Sequence, residues 1–323
     1  MDRNSTKEFE VCKEVASQGN VEAQFLTGWS YQQGDGVGQD DTEAFKWFEK
    51  AAEQGHAESQ SEIAFMYQRG DGVGQDNTKA FEWFKEAADQ GHANSQYMLG
   101  LSYRYGNGVS QDDPKAFEWF KKAAEQGNAN AQYVIGLSYK NGDGVGRDDI
   151  KAFEWFQKAA EQGNDDAQFE FGFMLYTGEG VRQDKFIAKE WFQKSAEQGN
   201  DDAQCVFGMM FYNGECVRQD YAKAFEWFKK SAEQGNSSAQ CKLGLSYQSG
   251  NGVSQNVTKA LEWFEKSAAQ GYASAQLELG IIFYNGEGVR QDKFIAKEWF
   301  GKSCDNGNQD GCHNYRILNE EGY

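Results

Sequence analysis

The apolar positions of this chain recur with a period of 36 residues. In one such unit Ala131, Ile135 and Tyr139 stand at i, i+4 and i+8, which puts them on one face of a helix. The run Asn141-Gly142-Asp143-Gly144-Val145-Gly146 breaks that helix, because glycine adopts backbone angles that other residues resist. A second helical stretch follows over 151–160, where Ala152, Trp155, Phe156 and Ala159 form an apolar stripe that Phe153 widens. A stripe of that width predicts contacts on two sides, as stacking between units requires. Gly163 falls where a left-handed helix C-cap is expected. The single proline, Pro114, falls in the first turn of a second helix, where its fixed backbone angle is tolerated.

The register holds along the whole chain. Trp47, Trp83, Trp119, Trp155, Trp191, Trp227, Trp263 and Trp299 are each followed by Phe, and only Trp29 lies outside the series. Parallel rows run from Gly34 to Gly286, from Val37 to Val289 and from Gly55 to Gly307. A fixed period without insertions means one helix-turn-helix unit stacked many times. The block GEGVRQDKFIAKEWF occurs at 178–192 and again at 286–300, which points to duplication of a multi-repeat segment. Residues 6–19 align with a second helix alone, Phe9 matching Phe45 and Gly19 matching Gly55, with Val11 in the tryptophan place. Residues 308–320 align with a first helix alone, with Arg316 where glycine is usual. The organisation expected is a capping helix at 1–19, eight repeats over 20–307 and a second capping helix at 308–323, the caps closing an open-ended stack. The fold class is all-α: one continuous right-handed superhelical solenoid of eight 36-residue repeats with half-repeat caps.

Composition supports an elongated array rather than two ordinary globular cores. Mean hydropathy is -0.80 and 39% of residues are hydrophobic, yet 15% are aromatic. Few buried positions, each filled by a large side chain, suit a thin core between neighbouring units. The aromatic content excludes a disordered chain. Fifty acidic residues against thirty-two basic ones give a net charge of -18. That field repels phosphate backbones and anionic membrane surfaces, so nucleic acid is not an expected partner, whereas a basic partner is steered in. The bland account of the same charge is solubility. No apolar run approaches the ~18 residues of a membrane span, so no membrane insertion is expected. The stretch Met1–Lys7 lacks a hydrophobic signal core. The expected location is cytoplasmic as written, or secreted or periplasmic if a signal peptide has been removed. Sequons begin at Asn4, Asn236 and Asn256, tripeptides that arise readily by chance in such a composition.

The run A-Q-x-x-x-G-x-x-Y-x-x-G-x-G-V-x-x-D-x-x-K-A-x-x-W-F-x-K-A-A-E-Q-G resembles the Sel1-like repeat, a relative of the tetratricopeptide repeat, over about residues 20–307. Departures are Cys216 in the glycine-rich loop and Tyr176, Tyr212 and Tyr284, each displaced one place from the usual aromatic. The resemblance implies an adaptor of the kind that assembles complexes in signalling, in quality control of membrane proteins and in bacterial dealings with hosts or rival toxins. It implies no shared catalytic residue. Cys304 and Cys312, eight apart, match the spacing of the intra-repeat disulfide of the family's cysteine-rich relatives, which implies a bridge stapling the C-terminal cap. The alternative is a pair of reduced thiols in a cytosolic protein. Cys12, Cys205, Cys216 and Cys241 lack partners at that spacing.

Candidate chemistry in the loops and histidines dissolves on inspection. Read as a calcium loop, 141–152 has Asp143 but carries Val145 and Ala152 where ligands are needed. As a phosphate loop it lacks the preceding strand and the Gly-Lys-Ser/Thr ending. His56 and His92 occupy the inter-helix position that holds Asn128, Asn164, Asn200 and Asn236 elsewhere, which predicts cap or turn roles, and His313 is the third histidine. Neither metal-ligand spacing nor a Ser-His-Asp arrangement has residues to build on, and Ser-x-x-Lys is absent. No metal and no cofactor are expected, and the chain is not expected to be an enzyme. A hydrolase acting on cell-wall or β-lactam material, as discussed for the cysteine-rich relatives, is the alternative.

In a stack of this kind the first helices line the concave surface, and contacting positions vary between units. One row reads Leu26, Glu62, Met98, Val134, Glu170, Val206, Lys242 and Glu278; seven residues on, another reads Gln33, Arg69, Tyr105, Asn141, Thr177, Asn213, Ser249 and Asn285. Residues seven apart share a helix face. Glu62, Arg69, Met98, Tyr105, Val134, Glu170, Lys242 and Glu278 are therefore the candidate partner-binding residues, with Met98 and Tyr105 as exposed anchors. Unconstrained surface drift is the competing account. The row between them, Trp29 to Ile281, is apolar in every unit and is expected to be core. The function expected is an interaction scaffold, monomeric, binding a protein or peptide that is basic by preference. Toxin neutralisation is a narrower form of that reading, and a structural spacer is its rival.

Overall fold

Turn chemistry decides where each helix starts and stops. The computed structural model describes residues 3–323, with side chains from Ser5 onward; the first two residues of the expected cap and the Asn4 sequon side chain lie outside the described residues. Two compact units divide at a repeat boundary, after Asn164. The first holds α1 (Arg3–Ser17) and the pairs α2–α3 (Val21–Gln33, Asp41–Glu53), α4–α5 (Ala57–Arg69, Asn77–Asp89), α6–α7 (Ala93–Tyr105, Asp113–Glu125) and α8–α9 (Ala129–Asn141, Asp149–Glu161). The second, Asp165–Tyr323, holds α10–α11 (Asp165–Thr177, Lys185–Gln198), α12–α13 (Asp201–Asn213, Tyr221–Glu233), α14–α15 (Ser237–Ser249, Val257–Ala269), α16–α17 (Ala273–Asn285, Lys293–Asp305) and α18 (Gln309–Glu320). No strand occurs among the described residues. The fold is an all-α solenoid of helix pairs.

Each second helix opens on an acidic or amide cap: the Asp76 carboxylate accepts the backbone N–H groups of Thr78 and Lys79 at 3.0 and 3.1 Å. First helices open on Asn20, Asn128, Asn200 and Asn236, and on two histidines that do the same work. Nδ1 of His56 accepts from the Ser59 N–H at 3.3 Å, and His92 repeats this with Ser95. Such a cap contributes about 1 kcal/mol. First helices end on a left-handed glycine, as at Gly142 (φ 87°). Pro114 sits in the first turn of α7.

Packing uses a large ring against a missing side chain. Phe48, Phe84, Phe120, Phe156, Phe192, Phe228 and Phe264 are fully buried. A Cβ placed on Gly136 would stand 2.6 Å from a Phe156 ring carbon, and Gly28, Gly208 and Gly244 face their phenylalanines as closely. Burying such a ring is worth roughly 2–3 kcal/mol. Trp155 packs, half-buried, on the cluster of Phe120, Ala123 and Ile135, so the wide stripe does contact two sides.

A polar spine runs through each unit beside this core. The buried Gln60 amide donates to the Ala52 carbonyl at 3.2 Å, and its oxygen accepts from Gln90 at 2.6 Å. Gln96 and Gln126, then Gln204 and Gln234, repeat the arrangement. Buried amides with both ends engaged cost little, whereas one end left unpaired would cost about 1–3 kcal/mol.

Single helices pack on the first and last repeats, α1 on α2 and α18 on α17. Phe9 of α1 is buried edge-on against Tyr31, with ring centroids 5.2 Å apart, while Val11, in the tryptophan place, is exposed. At the other end Leu318 of α18 is buried, Arg316 is exposed, and Cys304 is disulfide-bonded to Cys312 with Cα atoms 4.4 Å apart.

Both sequence departures have structural answers. Cys216 has φ 57° and is the one non-glycine at positive φ among the described residues. Its counterparts Gly72, Gly108 and Gly252 press their Cα against a carbonyl of the preceding repeat, leaving no room for a Cβ. Beside Cys216, Glu215 accepts from Lys185 at 2.6 Å and from the displaced Tyr176 hydroxyl at 2.8 Å. The displaced Tyr212 likewise reaches the next loop, accepting from Asn251 at 3.4 Å.

Candidate functional site

Each first helix offers a face with three equivalent positions, and the structure sorts them differently from the expectation above. Trp29 is 45% exposed, and Phe65, Leu101, Leu137, Phe173, Met209, Leu245 and Ile281 are all half-buried. The row expected to be core is thus partly buried: Phe65, Leu101, Met209, Leu245 and Ile281 pack against the core clusters, while Trp29 at the start of the row is exposed. Each first helix packs on second helices through its glycine side, which leaves this row less covered than the glycines.

Two candidate residues are corrected. Val134 is 7% exposed and belongs to the cluster of Phe120 and Ile135, so it is unavailable to a partner. Met98 is half-buried against the hydrophobic core of its unit rather than an exposed anchor. The others lie at the surface to different degrees. Tyr105 is 67% exposed. Arg69 is exposed, its guanidinium 5.2 Å from the Phe65 ring centroid and 3.7 Å from Asp71. Glu62, Glu170, Lys242 and Glu278 are half-buried. Burial pushes the Glu278 carboxyl above its ordinary range, Glu287 adds to the effect and Lys242 opposes it.

A third row escaped sequence reasoning. Four residues before the variable row stand Glu22, Glu58, Asn94, Asn130, Asp166 and Asp202, all exposed, followed by Ser238 and Ser274. The signal was in the spacing, since residues four apart share a helix face. The Asp166 carboxyl accepts from Asn200 and that of Asp202 from Asn236, each at 2.8 Å. Both acids are held above the ordinary range, first by desolvation and then by Asp165 and Asp201 respectively.

Between the rows of the second unit lies a cavity of about 180 Å3, lined by Phe173, Tyr176, Val206, Met209, Asn213 and Glu215. It is an apolar seat with a carboxylate at its rim. Of the histidines, His56 and His92 are the caps described above, and His313 lies on α18. No cluster of three metal-ligating side chains occurs among the described residues. No helix among them is long and apolar enough to cross a membrane.

Helix pairs stacked through identical cores, with a side that differs from pair to pair, define an α-solenoid repeat protein. The Sel1 repeat matches eight consecutive segments, from residues 21–56 to 273–308, and the chain belongs to the Sel1 repeat family. Proteins of this family are generally protein–protein interaction scaffolds, and their fold is typically non-catalytic. The chain is 38% identical to a protective antigen present in uropathogenic Escherichia coli strains that displays an SLR fold. That likeness covers 97% of this chain and 68% of the other, with a TM-score of 0.84. A Sel1 repeat protein from Oxalobacter formigenes is 33% identical over 96% of this chain and 89% of its own, with a TM-score of 0.66. No match emerges among curated proteins.

Proposed function

We propose that the protein is a scaffold that grips an extended segment of a partner protein along the first-helix face. The observation that carries this reading is the apolar row from Trp29 to Ile281, fully buried in no repeat and flanked by rows that differ from one repeat to the next. Apolar seats supply contact area, and the flanking variation supplies selectivity between partners. The net charge of -18, with Glu22 and Glu58 on first helices of the first unit and Asp166 and Asp202 on first helices of the second, favours a basic segment. The Cys304–Cys312 bridge favours an oxidising compartment over the cytoplasm. The scaffold acts as a monomer in this reading.

The test is affinity capture from a lysate of the source organism, with the native protein compared with a Trp29→Ala, Tyr105→Ala, Glu170→Lys variant at low and high salt. A protein retained by the native chain, lost by a variant of unchanged melting temperature and weakened by salt supports the reading. Equal retention by both chains refutes the assignment to this face.

A further inference from the structure

The second helices of the repeats carry an internal control. In seven repeats a lysine one turn after the tryptophan folds back over the indole: Lys50, Lys122, Lys158, Lys194, Lys230, Lys266 and Lys302 lie between 3.7 and 4.3 Å from the ring centroids. An ammonium over an indole face is a cation–π contact. In the second repeat the lysine is replaced by Glu86, and among the described residues no cation stands over Trp83. A cavity of about 470 Å3 opens at that point, lined by Trp83, Glu82, Glu86, Glu53, Tyr67 and Lys79.

The replacement does more than remove a cover. It reverses the charge at the position that faces the indole, and neither Glu53, Glu82 nor Glu86 has an ion-pair partner among the described residues. Lys79 is the cation that lines the cavity, and it is already engaged. Its Nζ lies 5.1 Å from the Tyr67 centroid, as Lys115 and Lys151 lie 5.5 and 5.2 Å from Tyr103 and Tyr139 in the following repeats. The indole is thus the one member of an eightfold series whose cation is missing, beside an excess of two negative charges on the cavity wall.

We propose that Trp83 and its three glutamates form a receptor for a lysine side chain presented by a partner protein. The guest ammonium takes the position over the indole that the protein's own lysine takes elsewhere, and Glu82, Glu86 and Glu53 neutralise it. The site lies where α3, α4 and α5 meet and shares no residue with the first-helix rows assigned above. The two assignments succeed or fail independently.

The experiment is a titration of the full-length protein with acetyl-Gly-Lys-Gly-amide, followed through the nine tryptophan indole N–H signals by NMR. Acetyl-Gly-Gln-Gly-amide serves as the neutral control. The Trp83 signal is assigned by its loss in Trp83→Phe. Expected is a saturable shift of that signal alone, with a Kd on the order of 10 mM, weakened by salt and absent with the glutamine peptide. Glu86→Lys installs the residue that seven sister repeats carry and should leave the melting temperature unchanged while weakening the peptide at least about tenfold. A Trp83 signal that stays still, several indoles moving alike, or a Glu86→Lys protein that titrates like the native one would each overturn the proposal.

Discussion

The two sides of each repeat carry sequence variation in opposite ways. In the third repeat Phe120 is buried beneath Gly100, and the same pair recurs as Gly136 with Phe156 and Gly208 with Phe228. One turn away in the same repeat, Tyr105 is 67% exposed, and its counterparts are Arg69, Asn141, Thr177 and Ser249. Positions that meet a neighbouring repeat are held by volume and hydrogen bonding on both sides. Positions that meet water are held by neither. Identity between repeats follows burial at Gly100 and Phe120, although the lysines over the tryptophans repeat at the surface and Val134 of a variable row is buried. Departures such as Cys216 and Glu86 mark places where one repeat has been altered by itself.

The widest separation of the two sides comes from paired substitutions in one repeat. Phe120→Ala should lower stability by about 3–5 kcal/mol, because the cavity it leaves lies between two helices that cannot close up. Tyr105→Ala should change it by less than about 0.5 kcal/mol. Urea unfolding of the two variants reads the difference, and similar losses would break the comparison. At the C-terminal cap the staple is local. Reducing the Cys304–Cys312 disulfide should weaken the folded cap by about 2–3 kcal/mol. Hydrogen exchange should quicken in α18 while the amides of α2 to α9 keep their rates. Uniform acceleration would show that the bridge stabilises more than the cap.

A smaller effect, of opposite sign, is expected in the sixth-repeat loop. Cys216→Gly removes a side chain from a left-handed backbone position and should stabilise by about 1 kcal/mol, read as a higher melting temperature. Loss of stability there would mean that the Lys185–Glu215 pair depends on the cysteine. The smallest effect is a pH dependence at a cap. Burial holds the His92 imidazole below its ordinary range, against the weaker upward pull of Glu58 and Glu62. The fold thus favours the neutral ring whose Nδ1 accepts from Ser95. Stability present above the unfolded value of about 6.5 should be lost as pH falls through the lower folded value. A change of a few tenths of a kcal/mol is expected, measured as the difference between native and His92→Asn proteins at pH 7.5 and pH 5. Asn128 caps the same position without titrating, so His92→Asn should abolish the dependence.

The elements themselves were legible in the chain. Period and helix ends follow from Gly34, Gly142, Pro114 and the Asn128 position that His56 and His92 share, because these residues act on backbone within a few positions of themselves. Burial could not be read that way. Val134 and Leu137 are both apolar and one turn apart on α8, yet only Val134 is buried, since burial depends on which side of the helix its neighbours cover. The Gln60–Gln90 contact joins residues 30 apart in the sequence, and its role emerges only when two helices bring a buried donor to a buried acceptor. Trp83 is the clearest case: the sequence by itself records that Glu86 stands where lysine is usual, but the cavity over the indole exists because α3, α4 and α5 meet there. Local backbone preference determined the helices and their order. Only tertiary packing, which sets what each side chain faces across a gap, decided which rows became core and which stayed open.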